Sequence, residues 1–140
     1  MHKDFTGYLF NNIQWVVKDL KPDVFSDMMG AVFGSNGCEI IRSEPYKKIQ
    51  KYTKNNESFF IKQYAIKSVI DAVKSVFTSS KAKKEWNNGL LLLKKQIPTP
   101  EPVAVGERRR FGAVKDCYII TRAIPDSVTG KERLITLRQS

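Results

Sequence analysis

Between Cys38 and Asp126 the apolar pattern changes period twice, which confines the chain to strands interrupted by helices. Cys38 to Arg42, Tyr46 to Thr53 and Phe59 to Tyr64 read as three short strands. Ser43-Glu-Pro45 makes the first connection, and Lys54-Asn-Asn-Glu57 has the chemistry of a hairpin turn. The period then lengthens. Ile66, Val69, Ile70, Val73, Val76 and Phe77 recur at three and four residues, the mark of an amphipathic helix. Thr78-Ser-Ser80 breaks that helix and offers caps for another, in which Ala82, Trp86, Gly89 and Leu93 form an apolar stripe with Glu85 at its edge. Ile97-Pro-Thr-Pro-Glu-Pro is too rich in proline for regular structure until Val103, where a strand runs to about Arg108. Phe111-Gly112 marks a turn, and Tyr118 to Arg122 is the last and most apolar strand. The fold class is α+β.

Three segments follow. Residues 1–37 form a leader without an assignable function: Phe5 to Leu20 reads as irregular, ending in the strand-like Trp15-Val-Val. After it comes a helix from Pro22, with Val24, Phe25, Met28, Met29 and Val32 at helical spacing. Gly34, Asn36 and Gly37 close that helix. Residues 38–126 are the main domain. Residues 127–140, with little apolar surface to dock, read as a tail or as the start of a further lobe.

At 140 residues the chain is one domain's length. Its formal charge of +10 favours acidic partners, whether nucleotide phosphates, nucleic acid or an anionic membrane face. Cys38 and Cys117 are too few and too far apart for a metal-ligand spacing or a disulfide framework, and Cys117 reads as a buried thiol suited to a reducing cytoplasm. His2 is the sole histidine and lies near the terminus, which argues against histidine catalysis or a zinc site. Met1-His-Lys-Asp-Phe5 lacks the apolar core of a secretory signal, and no apolar run is long enough to span a bilayer. A soluble or peripheral protein is expected.

Period two places Phe60, Lys62 and Tyr64 on one face of their strand and Phe59 and Ile61 on the other. Taken alone, Lys62 is as readily a solvated strand lysine, and Glu85 a surface partner of Lys81 four residues earlier. The wider order changes that reading. Phe59-Phe-Ile-Lys62-Gln-Tyr64, the amphipathic helix, Ser80-Lys-Ala-Lys-Lys-Glu85-Trp86, the run from Ile97 to Arg109 and Ile119-Ile-Thr-Arg-Ala-Ile-Pro125 follow one another in sequence. From Tyr46 to Asp126 this resembles the amino-terminal lobe of the lipopolysaccharide core sugar kinases, which act on Kdo and heptose residues and are distant relatives of protein kinases.

The resemblance implies a protein-kinase-like lobe: an antiparallel sheet of about five strands with a regulatory-type helix packed on it, plus extra helices. It assigns Lys62 to the α and β phosphates of ATP, and Glu85 to holding that lysine. Arg122, Ala123 and Ile124 take the place of the hinge whose backbone meets the adenine edge. Two features depart from the protein-kinase pattern. Arg42-Ser-Glu-Pro-Tyr-Lys47 stands at the turn where protein kinases carry a glycine-rich loop, and Phe60 stands where they have a small residue against the base.

No His-Arg-Asp or Asp-Phe-Gly triplet occurs, so the resemblance supplies no catalytic residue and no ligand for the magnesium that the family uses. The expectation is a truncated chain or gene fragment that binds ATP without useful transfer on its own. Such a lobe is expected to be cytoplasmic or peripheral at the inner face of the cytoplasmic membrane, and to pair with its missing half or with itself. Two readings from other classes stand beside it. One is a small basic nucleic-acid-binding domain, suggested by the aromatics interleaved with lysine in Tyr46-Lys-Lys-Ile-Gln-Lys-Tyr52. The other is a non-catalytic lobe acting as an interaction module.

Overall fold

The computed structural model describes residues 5–34, 37–54 and 56–123. Ten elements follow in order: β1 (Phe5–Phe10), β2 (Ile13–Lys18), α1 (Pro22–Phe33), β3 (Cys38–Glu44), β4 (Lys47–Lys54), β5 (Glu57–Ala65), α2 (Val69–Phe77), α3 (Lys81–Lys94), β6 (Glu101–Arg110) and β7 (Ala113–Arg122). The class is α+β, as the change of period implied. The seven strands form one antiparallel sheet in the order β1-β2-β6-β7-β5-β4-β3, two more than the expected five.

The two additional strands come from the segment read as irregular. Phe5–Phe10 and Ile13–Lys18 form a hairpin that adds to β6 through Gln14↔Glu107 to Val17↔Ala104. β1 is an edge strand, largely exposed on both faces, so it lacks the apolar alternation that would reveal it. The available signal is the pair Asn11-Asn12, both at positive φ (56° and 61°), which turns the hairpin in two residues. β6 also starts earlier than expected, at Glu101. Proline is tolerated there because the register shifts between Pro102 and Ala104, and β2 does not reach that far along β6.

Two apolar layers sandwich the sheet. On one face α1 buries Phe25, Met28, Met29 and Ala31 against Trp15, Tyr52, Phe59, Ile61, Tyr118 and Ile120. Its rings interlock: Phe25 meets Trp15 edge-on at 5.7 Å, and Phe33 meets Tyr118 at the same separation. Gly106 makes room for this layer, since a Cβ there would come within 2.8 Å of the Trp15 ring and of Ile13 Cγ2. On the other face α3 sets Ala82 and Trp86 on Val105, Val114, Cys117 and Ile119. Gly89 lets α3 approach β6 closely, because a Cβ there would meet Pro102 Cγ at 2.5 Å.

Helix α2 behaves differently. It begins at Val69, capped by Ser68, whose hydroxyl accepts from the Asp71 amide at 3.2 Å. Ile66, which shares its period, lies before the helix and donates its amide to Lys115 O. The apolar arc of α2 points outward, with Val69, Ile70, Val73, Val76 and Phe77 all exposed, while Ser75 is buried. Ser75 ties the helix down: its hydroxyl accepts the Val114 amide at 2.8 Å.

Among the described residues no helix is long and apolar enough to cross a membrane. The tail and Ile124 lie outside the described residues.

Candidate functional site

Strand β5 delivers the face that its alternation specified. Phe59 and Ile61 enter the α1 layer, and Lys62 and Tyr64 turn toward α3. Helix α3 is set in place from its first turn. Ser80 accepts the Lys83 amide at 3.1 Å and donates its own proton to Glu107 Oε2 on β6 at 2.5 Å. One hydroxyl therefore caps the helix and fastens its end to the sheet. With Ala82 and Trp86 buried, Glu85 is left at the edge of the stripe, facing β5.

The outcome is a three-residue cluster. Lys62 Nζ donates to Glu85 Oε2 at 2.8 Å, and Tyr64 Oη donates to Glu85 Oε1 at 2.9 Å. Both carboxylate oxygens are engaged. Burial, and after it the bond to Glu85, push the Tyr64 phenol above its ordinary pKa, so it stays a donor further into alkaline pH than a free tyrosine. Lys81, the alternative partner for Glu85, stands over the Tyr64 ring instead, 5.7 Å from its centroid. The Lys62 and Glu85 side chains are each about one-third exposed, at 32 % and 34 %. A lysine ammonium has three donors, and the bond to Glu85 uses one, so Lys62 can hold a ligand oxygen while it stays anchored.

Of the other predicted residues, Arg122 and Ala123 close β7 at the far end of the sheet. Register sets Arg122 opposite Phe59 and Lys62 opposite Ile119, so three residues, roughly 10 Å of strand, separate the two positions. The Arg122 side chain is an organiser of the sheet end. It bonds Glu101 Oε1 at 2.9 Å, lies 3.3 Å from Glu57 and covers the Phe59 ring. The Ala123 amide donates to Ser58 O at 2.8 Å, so that N–H is already engaged in the sheet. Ile124 lies outside the described residues.

A cavity of about 490 Å³ opens beside the cluster, between the β3–β4 turn, α2 and the start of α3. Tyr64 is on its wall, while Lys62 and Glu85 are not among its lining residues. Five lysines (47, 67, 74, 81 and 84) line it against two carboxylates, Glu44 and Asp71, so its field is positive. The volume lies within the range of small-ligand sites.

Sequence reasoning placed Tyr64 on the face of Lys62 without assigning it a role, and it passed over Ser80 as an anchor to Glu107. The Ser80–Glu107 contact joins residues far apart in the chain, and only the paired strands bring them within reach. Of the two tyrosines in the basic run considered for nucleic acid, Tyr52 is buried on Phe59 at 6.3 Å between centroids and cannot stack on a base. Among the described residues no three His, Cys, Asp or Glu side chains converge in a way that could hold a metal. No protein-family model, no curated protein and no solved structure matches the chain, so its function has to be read from its own residues.

Proposed function

We propose that this chain is the ATP-binding amino-terminal lobe of a phosphotransferase resembling the lipopolysaccharide sugar kinases, in which a phosphoryl group passes from ATP to a sugar hydroxyl. The observation that carries the reading is the 2.8 Å bond between Lys62 of β5 and Glu85 of α3. A lysine held by a helix carboxylate across a strand is the pairing by which kinase lobes present an ammonium to the nucleotide phosphates. The order strand, helix, strand pair supports it, with β6 and β7 following α3.

Each residue then has a physical role. Lys62 supplies a positive charge and free donors to the α and β phosphates. Glu85 fixes the ammonium in one position, which lowers the entropic cost of meeting the phosphates. Tyr64 holds the second oxygen of Glu85, so the carboxylate does not rotate away. The base would lie toward the Arg122–Ala123 end of β7, with Phe60 on its side of β5 narrowing the space available to it. ATP brings the transferable phosphoryl group. Activation of the acceptor hydroxyl and coordination of magnesium call for carboxylates that this cluster does not supply, so the role proposed here is nucleotide binding and positioning.

Calorimetry with ATP tests the reading, on the full chain and on Lys62→Ala and Glu85→Gln. Binding that falls at least about tenfold in Lys62→Ala, and by less in Glu85→Gln, is the expected result. A folded protein that binds no ATP, or binds it equally well without Lys62, would remove the assignment.

A further inference from the structure

The arc of α2 is the feature that the nucleotide reading leaves unused. Val69 (80 % exposed), Ile70, Val73, Val76 and Phe77 (83 %) project from one side of the helix, away from the sheet. An amphipathic helix ordinarily buries such an arc. Here the inward positions are held by Ser75, whose hydroxyl takes the Val114 amide, and by Arg109, whose Nη1 bonds both Ser75 O at 3.3 Å and Gly112 O at 2.7 Å. The helix is therefore locked to the β6–β7 hairpin with its apolar side out.

That hairpin adds to the surface. Its turn residue Phe111 is 95 % exposed and lies beside Gly112, within the same hydrogen-bonded unit as Ser75. The β1–β2 hairpin also ends at this side of the sheet, because Gln14 pairs with Glu107, and its Leu9 is largely exposed. A cleft lined by Gln14, Val16, Val76 and Phe77 joins the two. Apolar side chains from three separate elements thus protrude at one end of the sheet.

The charge around them is one-sided. Lys67, Lys74, Arg110 and Lys115 are exposed on these elements or next to them, beside Arg109, which is already paired with Glu107. Of the acidic residues there, Glu107 is engaged by Arg109 and Ser80, and Asp116 lies 3.3 Å from Arg108. Asp71, in the first turn of α2, stands with Lys67 and Lys74 on the wall of the neighbouring cavity, so the cations remain in excess. Lys74 sits on the flank of the apolar arc itself, one turn before Phe77.

We infer that this end of the molecule docks on an anionic lipid bilayer, with the α2 arc and Phe111 entering the interfacial layer and the flanking lysines and arginines meeting the headgroups. The chemistry favours a bilayer over the alternatives. Nucleic-acid phosphates would satisfy the cations but leave five aliphatic and aromatic side chains of α2 in water. A bilayer takes both, and it suits projecting tips because it needs no complementary groove.

Co-sedimentation of the full chain with vesicles tests this, using pure phosphatidylcholine and phosphatidylcholine mixed with phosphatidylglycerol. The wild type is expected to bind the anionic vesicles and to lose binding as salt rises. The double variant F77D/F111D should lose at least about tenfold, because each phenylalanine buries a full apolar side chain in the interface. Lys74→Glu and Arg110→Glu should each lose at least about fivefold on anionic vesicles alone. All four positions are exposed, so unchanged circular dichroism is the folding control, and ATP calorimetry on the same variants keeps this result separate from the nucleotide reading. Wild type left in the supernatant would overturn the inference, as would F77D/F111D binding as well as wild type. A dimer that F77D/F111D dissociates, without vesicle binding, would assign the face to a second copy of the chain and overturn it too.

Discussion

Helices α1 and α2 have the same kind of sequence and opposite fates. Both space apolar residues at three and four, and both carry aromatics and β-branched or methionine side chains. α1 buries Phe25, Met28 and Met29 in the ring-rich layer under β2 and β7, whereas α2 turns its arc to the exterior and is held by one serine hydroxyl and one arginine. The contrast separates two questions that periodicity is often asked to answer together. Spacing establishes that a helix forms and that it has an apolar side. It does not establish what that side meets.

The largest effect that could break this contrast is in the core. Met28→Ala removes a fully buried side chain from a layer of aromatic rings and is expected to lower stability by about 2–5 kcal/mol in a urea titration. Ile70→Ala on the exposed arc should change it by no more than about 0.5 kcal/mol. Equal losses at the two positions would mean that α2 packs inward after all. Ser75→Ala sharpens the same comparison. It leaves the buried Val114 amide without its acceptor and should destabilise by about 1–3 kcal/mol, far more than its small size suggests. A neutral result would show that α2 is held by something other than this bond.

Smaller effects are expected at the cluster on β5 and α3. Glu85→Gln should alter stability by less than about 1 kcal/mol, since the ion pair is one-third exposed and screened by solvent. If the nucleotide reading holds, its effect on ATP affinity is the larger one. A loss of several kcal/mol of stability would instead make Glu85 a structural residue. The least effect near neutrality is that of pH. Tyr64 and Tyr118 are both raised by burial and then by neighbouring carboxylates, Glu85 and Asp116, while Cys117 is raised by burial. Raised values mean that the fold favours the protonated forms. Their contribution is complete below the unfolded values, about 8.5 for cysteine and about 10 for tyrosine, and declines as pH rises beyond them. Denaturation midpoints between neutral and strongly alkaline pH should fall on the alkaline side, and Tyr64→Phe should flatten part of that fall.

How legible the site was depends on the range of the contacts. Lys62 and Glu85 were paired by the family resemblance. Period two and the apolar stripe of α3 supplied only the faces on which they stand, and taken alone left Glu85 as readily a partner of Lys81. Their 2.8 Å bond is consistent with both local rules. The Ser80–Glu107 anchor and the exchange of Lys81 for Lys62 as the partner of Glu85 depend on how α3 lies across β5 and β6, which no local spacing encodes. The β1–β2 hairpin went unread for a different reason. β1, an edge strand exposed on both faces, has no apolar alternation to display. β2 does alternate, with Ile13, Trp15 and Val17 buried, but only its Trp15-Val-Val read as strand-like, and the Asn11-Asn12 turn that joins the two was passed over.

By itself the sequence determined the α+β class, the existence of the three helices among the described residues, the cap at Ser80, and which face of β5 carries Lys62. These follow from dihedral preference and side-chain period, which act over a few residues. Tertiary structure alone decided that the sheet has seven strands, that Arg122 braces its end, and that the α2 arc faces outward. Each of these is settled by competition between distant partners for the same surface. The inner side of α2 was decided by the Val114 amide, which needed an acceptor and found it in Ser75.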